Sequence, residues 1–305
     1  VNVLSRPILV LPVMAALALS ACAPPSDPAD PDGTNSTSMT VLTSFYPLQF
    51  VVERVGGDTV EISSITPPGA EPHNLELSPA KVAELADASA VVYASGFQAA
   101  VDEAVVQTAP EHAIDVADAA QLSTAGGGTA EDDDAGDPHF WLDPERLGDV
   151  TDVVAERLGE LDPQNAVEYA ANADKLNQEL STLDEDFSTG LATCERRTIV
   201  VSHEAYGYLT DRYDLEQTGV SGIDPEAEPA PARIAKIRRV IEGQDVTTIF
   251  TESLVNPKVA ETLAADLGVT TALLDPIESH ADTSGDYLDV MRGNLSALRE
   301  ALDCA

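Results

Sequence analysis

Seven apolar side chains, Tyr169, Ala173, Leu176, Leu180, Leu183, Phe187 and Leu191, follow one another in steps of four and three. That spacing traces one face of a single helix. A helix from Asn165 to about Leu191 would hold about 27 residues and run roughly 40 Å, the scale of a whole domain. It either joins two halves of the molecule as a strut or covers one of them as a surface helix. On both sides of it, short β-rich runs alternate with helical patterns, which argues for parallel α/β units. Before it, strands are expected at Thr40–Phe45, Thr59–Ile65, Ser89–Ala94 and Ala113–Val116, with helices between them. After it come strands at Thr198–Val201, Leu215–Thr218, Thr247–Thr251 and Thr270–Leu274. Helices are expected there at Glu204–Arg212, Pro231–Glu242, Pro257–Leu267 and Ser284–Leu302. A chain of 305 residues, 44% of them hydrophobic, has ample material for two such domains. The fold class expected is therefore α/β: two lobes with parallel sheets joined by one long helix, with a ligand cleft between them.

The first residues have a different character. Arg6 precedes an apolar run from Ile8 to Leu19 that is interrupted by Pro12 and too short for a comfortable membrane span, so it reads as a signal-peptide core. Its end, Leu19-Ser20-Ala21-Cys22, resembles a bacterial lipobox, which implies cleavage before Cys22 and acylation of that thiol; a plain secretory signal is the alternative. Residues 23–38 are Pro, Asp, Ser and Thr with little to bury, a tether by composition. The division expected is a signal peptide at 1–21, a tether at 22–39 and an N-terminal lobe at 40–162. The connecting helix then takes 163–192 and the C-terminal lobe 193–305.

Two cysteines remain after Cys22, and in an exported protein disulfides persist. Cys194 and Cys304 are expected to pair, the alternative being two unpaired buried thiols. Closing a loop of about 110 residues could contribute on the order of 4 to 5 kcal/mol by chain-entropy reasoning. The formal net charge of −37 excludes a nucleic-acid partner, because no basic surface is available to displace counterions from phosphates. Such acidity collects divalent cations weakly and is not itself a sign of a metal site. The Gly-rich, acidic loop 119–137, with Glu131–Asp134 as its acidic run, reads as low-complexity and solvated.

The chemistry gathers around the loops that follow the strands. Asp137–Pro144, DPHFWLDP, holds the only Trp of the chain and His139 between two Asp-Pro pairs, each of which tends to stop regular structure. His73 lies in PPGAEPHNLELSP after one strand, His203 in VVSHEAYGYL after another, and Asp275 in LLDP after a third. Three imidazoles and a carboxylate make a four-ligand set for a zinc-like ion. The distances along the chain are far too long for a zinc finger, so such a site must be assembled by tertiary structure.

These motifs, with GIDPEAEPAPARIAKI from Gly222 to Ile237 and FTESLVNPK, make the chain resemble the lipid-anchored solute-binding proteins of zinc and manganese ABC importers, the ZnuA and TroA-like family. The resemblance covers nearly all of 40–302. It implies two α/β lobes joined by a long helix, with zinc bound in the cleft by His73, His139, His203 and Asp275. Manganese-binding relatives typically carry Glu where this chain has His203, and a nitrogen donor in place of an oxygen favours zinc over manganese on physical grounds also. Two departures stand out. The loop before DPHFWLDP is acidic rather than His-rich, and Glu71 replaces the Asp often seen in the first motif. Glu71 and Glu204 are therefore candidate competing oxygen donors. Glu252, in FTES, reads as a partner that orients a ligating His or caps the next helix. His112 reads as structural, His280 as exposed in a polar loop, and Phe140 and Trp141 as packing beneath the site.

The function expected is extracytoplasmic capture of zinc and delivery to an ABC permease driven by a separate ATPase, by a monomer anchored through Cys22 to the outer face of the membrane. The chain has no phosphate-binding GxxxxGK[ST] loop of its own. Manganese or iron uptake is the alternative within the class; a surface adhesin and a secreted zinc hydrolase are the alternatives outside it. The hydrolase reading lacks an HExxH helix, and a closed four-ligand site leaves no position for a catalytic water. Because imidazoles ligate only when neutral, metal affinity should weaken as pH falls through about 6.5.

Overall fold

The structure, a computed structural model, describes residues 38–108, 110, 112–122, 136–280 and 285–305. The signal peptide, Cys22 and nearly all of the tether lie outside the described residues, as does most of the acidic loop.

Two four-stranded parallel sheets organise the chain. The first contains β1 (Met39–Thr43), β2 (Val60–Ser64), β3 (Ala90–Tyr93) and β4 (Ala113–Asp115) in the order β2-β1-β3-β4. The second contains β5 (Thr198–Val201), β6 (Glu216–Gly219), β7 (Thr248–Thr251) and β8 (Thr270–Leu273) in the equivalent order β6-β5-β7-β8. The two halves thus repeat one topology, and in each the strand order reverses beside the first strand. At such a switch point the loops leaving the C-terminal strand ends diverge, which opens a crevice for ligands.

In the first half, helices α1 (Tyr46–Gly56), α2 (Pro79–Asp87) and α3 (Ala99–Thr108) follow β1, β2 and β3. Next comes α4 (Pro144–Leu161), started by Pro144 at its first turn and by Asp143, whose side chain accepts from the Glu145 N–H at 3.0 Å. The long helix is α5 (Ala166–Gly190), 25 residues, and its buried residues are Tyr169, Ala173, Leu176, Leu180, Leu183 and Phe187. The stripe read from the sequence is the face that packs. Helix α5 lies against α1 and α4 of the first half and against α9 (Tyr287–Leu302) of the second, so it does bridge the halves. The principal apolar core is correspondingly shared. It runs from Val41 and Phe45 through Leu176 and Leu183 to Val201, Met291 and Leu302 without a break.

The remaining helices are α6 (Gly207–Arg212), α7 (Pro231–Gly243) and α8 (Lys258–Leu267). Two helices begin three residues later than expected. Helix α6 starts at Gly207 rather than Glu204, and the residues before it are held from β6 and the loop that follows it: Glu204 N–H bonds the Gly222 carbonyl and Tyr206 N–H the Gln217 side chain. Helix α9 starts at Tyr287 because Asp286 forms a reciprocal capping box with Asp289. Cys194 and Cys304 form the expected disulfide. Main-chain bonds from Arg196 N–H to the Leu302 carbonyl and from Glu195 N–H to the Asp303 carbonyl lie beside it and hold the C-terminus near the start of β5.

Candidate metal centre

Four loops at the C-terminal ends of the strands converge between the two sheets. His73 comes from the segment between β2 and α2, and His139 from the segment after β4. His203 follows β5 directly, and Glu278 lies in the loop after β8. One ligand atom from each falls within 4.8 Å of the others. His139 Nε2 lies 3.2 Å from His73 Nε2 and 3.4 Å from His203 Nε2. Glu278 Oε1 lies 3.3, 2.9 and 3.1 Å from the Nε2 atoms of His73, His139 and His203. Bond lengths of 2.0–2.1 Å to a tetrahedral zinc imply donor-to-donor edges of about 3.3 Å, so these spacings match a shell that needs little rearrangement.

Each donor is aimed by a different device. Asp137 Oδ1 accepts from both the backbone N–H of His139, at 2.9 Å, and its Nδ1, at 2.7 Å. This leaves the Nε2 lone pair for the centre when the ring is neutral. The 3₁₀ turn Phe140–Leu142 then drives Phe140 and Trp141 into the core, both fully buried. Trp141 donates its indole N–H to the Pro276 carbonyl at 2.7 Å, and Tyr287 donates its hydroxyl to the Trp141 carbonyl at 2.5 Å. The segment carrying His139 is thereby tied to the loop carrying Glu278. At the end of β7, Glu252 accepts from His203 Nδ1 at 2.8 and 2.9 Å and from its backbone N–H at 3.1 Å. Glu71 fixes the backbone around His73, accepting the N–H groups of His73 and Asn74 at 2.9 and 3.2 Å. Gln98 holds the preceding Pro72 carbonyl, and the Phe97 ring meets His73 edge to face at 4.9 Å.

The carboxylate in the cluster is Glu278, which corrects the expectation for Asp275. Asp275 Oδ1 accepts the Ile277 N–H at 2.8 Å and Oδ2 accepts the Ser253 hydroxyl at 2.9 Å. Asn294 grips the Asp275 main chain on both its N–H and C=O. Ile277 then adopts a positive φ of 60°, an unfavourable conformation for a β-branched residue that costs on the order of 1–3 kcal/mol. The turn so formed accompanies the inward placement of Glu278. Asp275 therefore shapes this turn instead of joining the donors.

The other acidic candidates stand outside the cluster. Glu71 comes only to 4.0 Å from His73 Nε2. Glu204 accepts from the Gly219 N–H and pairs with Arg233, each at 3.1 Å. His112 sits at the entry to β4, its carbonyl accepting the Val91 N–H. His280 is half-buried rather than exposed, stacked on Tyr46 with ring centroids 4.6 Å apart.

Burial sets the electrostatics. His139, His203 and Glu278 are 0%, 0% and 2% exposed. Burial opposes charge on His203, but the carboxylates of Glu252 and Glu278 outweigh it and push the imidazole up to about 10. Burial likewise opposes charge on His139, and Asp137 and Glu278 overcome it. Burial would raise Glu278, yet the three surrounding imidazoles hold it well below the usual carboxylate range. His139 and His203 therefore hold protons more tightly than a free imidazole does, so a cation entering the site competes with protons.

Two repeated α/β halves, bridged by one long helix and presenting a buried N₃O donor set between their strand ends, define a metal-specific solute-binding protein. The model of the family described as zinc-uptake complex component A, periplasmic, matches residues 41–301, and the chain belongs to that family. It is similar to the high-affinity zinc uptake system protein ZnuA of Bacillus subtilis (strain 168), at 28% identity over 86% of this chain and 87% of the relative. It is 30% identical to the zinc-binding lipoprotein AdcA of Streptococcus pneumoniae (strain ATCC BAA-255 / R6) over 86% of its own length but 56% of AdcA, so it spans little more than half of that relative. Among solved structures, the laminin-binding protein Lmb of Streptococcus agalactiae, described as bifunctional with adhesin and metal-transporting activity, superposes with a TM-score of 0.78 at 32% identity. That match covers 87% of this chain and 99% of Lmb.

Proposed function

We propose that this protein captures zinc outside the cytoplasm through His73, His139, His203 and Glu278 and delivers it to the permease of an ABC importer powered by a separate ATPase. The observation that carries the reading is the convergence of three imidazole nitrogens and one carboxylate oxygen at tetrahedral spacing, with three of the four donors buried. Membership of the zinc-uptake family and the names of the relatives support it. Three nitrogens and one oxygen favour zinc over manganese, whose preference runs to oxygen donors and six-coordination. A donor set already complete at four leaves no open position for a reacting water, as a binding protein requires and a hydrolase does not. Under this reading the lobes are 40–162 and 193–305 with 163–192 between them. Cys22 is the acylated attachment point, the tether gives reach along the membrane surface, and the protein works as a monomer.

The test is a competitive titration of metal-stripped protein with zinc and with manganese against a chelator of known affinity, alongside His139→Ala. One tight zinc equivalent that disappears in the variant supports the reading. Tight manganese with weak zinc would keep the protein class and change the cargo. Weak, multiple binding indifferent to His139 would overturn the site.

A further inference from the structure

Among the braces of the metal centre, the one on His139 crosses between the halves of the molecule. Asp137 belongs to the segment leading out of the first half, yet it rests on helix α6 of the second. Tyr208 donates its hydroxyl to the Asp137 carbonyl at 2.9 Å. At the other end of the same segment, Arg212 Nε lies 3.4 Å from Asp143 and 2.5 Å from Asp184 of α5. Between these, the first residue of α6 is Gly207. A Cβ built there would fall 2.3 Å from Asp137 Oδ2, where real contacts essentially never come under 3.0 Å. Gly207 has no positive φ, so an Ala there meets no backbone penalty, and the obstacle is the carboxylate itself.

We propose that Gly207 is a positioning residue for metal capture: its missing side chain is the space in which the Asp137 carboxylate lies while it orients His139. The inference rests on the zinc-binding reading above. A methyl group at 207 must drive Oδ2 away by at least the 0.7 Å separating 2.3 from 3.0 Å. Because the Asp137 carbonyl is held by Tyr208, the carboxylate is expected to yield by turning, which pulls Oδ1 from His139 Nδ1. A ligating histidine that loses its carboxylate partner typically costs 10–100-fold in metal affinity.

The experiment compares full-length wild type, Gly207→Ala, Asp137→Ala and the double variant. Zinc affinity is read by chelator competition, and in the metal-free proteins the His139 Nδ1 proton is read by ¹⁵N-edited NMR, where a strong hydrogen bond to a carboxylate gives a markedly deshielded signal. Gly207→Ala is expected to weaken zinc binding at least tenfold and to abolish the deshielded proton, whereas in the Asp137→Ala background it should add less than twofold. The same loss in both backgrounds, or unchanged affinity in Gly207→Ala, overturns the proposal. If Gly207→Ala does not fold, the double variant decides: folding restored by Asp137→Ala shows that the carboxylate is the obstacle and supports the cradle, and failure to fold in both backgrounds overturns it. If the wild type takes up no zinc, the zinc reading fails, and the proton signal in metal-free protein still decides the role of Gly207.

Discussion

Glu278 and Asp275 stand three residues apart in Asp275-Pro276-Ile277-Glu278, and the geometry separates their roles. Glu278→Gln is expected to lower zinc affinity by roughly a hundredfold, since it removes the anionic donor while keeping shape; Asp275→Asn, which loosens the turn only, should cost about tenfold or less. Equal losses in the same chelator competition would mean that Asp275 does more than shape the loop. The protonation of the site gives a second prediction. His139 and His203 bind protons more tightly in the folded protein than in the unfolded chain. In the metal-free protein their stabilising contribution is therefore complete below an ordinary histidine value of about 6.5 and is lost as pH rises through the folded values, which for His203 is about 10. Over the same window protons leave the donors, so zinc affinity rises. The increase in melting temperature on adding zinc should widen steadily from pH 6.5 upward, and a constant increment would contradict proton displacement. This moves the competition higher in pH than free imidazole chemistry suggests, because burial among carboxylates was not legible in the sequence. The three histidines were legible, each in a distinctive motif after a strand or after the loop that closes the first half. Glu278 was not, because the turn beside it depends on a left-handed isoleucine that no local pattern announces.

At the scale of elements, the stripe along α5 was readable because a buried face must recur at the helical period, and Tyr169, Leu176, Leu183 and Phe187 are all fully buried. Leu183→Ala should therefore destabilise the protein by about 2–5 kcal/mol. Val167→Ala, on the same helix but 84% exposed, should change stability by less than about 0.5 kcal/mol; urea unfolding of both variants decides. The start of α6 was not readable. Residues 204–206 bond instead to Gly222 and Gln217, partners supplied by β6 and the loop after it and invisible to local periodicity. His203, just before these residues, sits on a bend, with Glu252 bonded to both its ring and its backbone N–H.

The whole molecule is held at its far end by the Cys194–Cys304 bond. Replacing both cysteines with Ser should lower stability by about 2–5 kcal/mol and leave zinc affinity within twofold, because the bond sits by the start of β5 and the donors sit beyond the strands' other ends. A large loss of affinity in that variant would show that the C-terminus helps set the site. The shared core has a wider consequence. With one continuous apolar interior running through both halves, a large separation of the lobes would expose buried side chains at about 25 cal/mol for every Å², so loaded and empty forms should present almost the same outline. Small-angle scattering profiles with and without zinc should then nearly coincide. Under the proposed function, a permease meeting loaded and empty forms of the same outline would have to tell them apart by the loops at the mouth. Where that distinction is weak, the empty carrier would rival the loaded one for the same surface, and the ratio of full to empty carriers, as much as their number, would set how fast zinc is delivered.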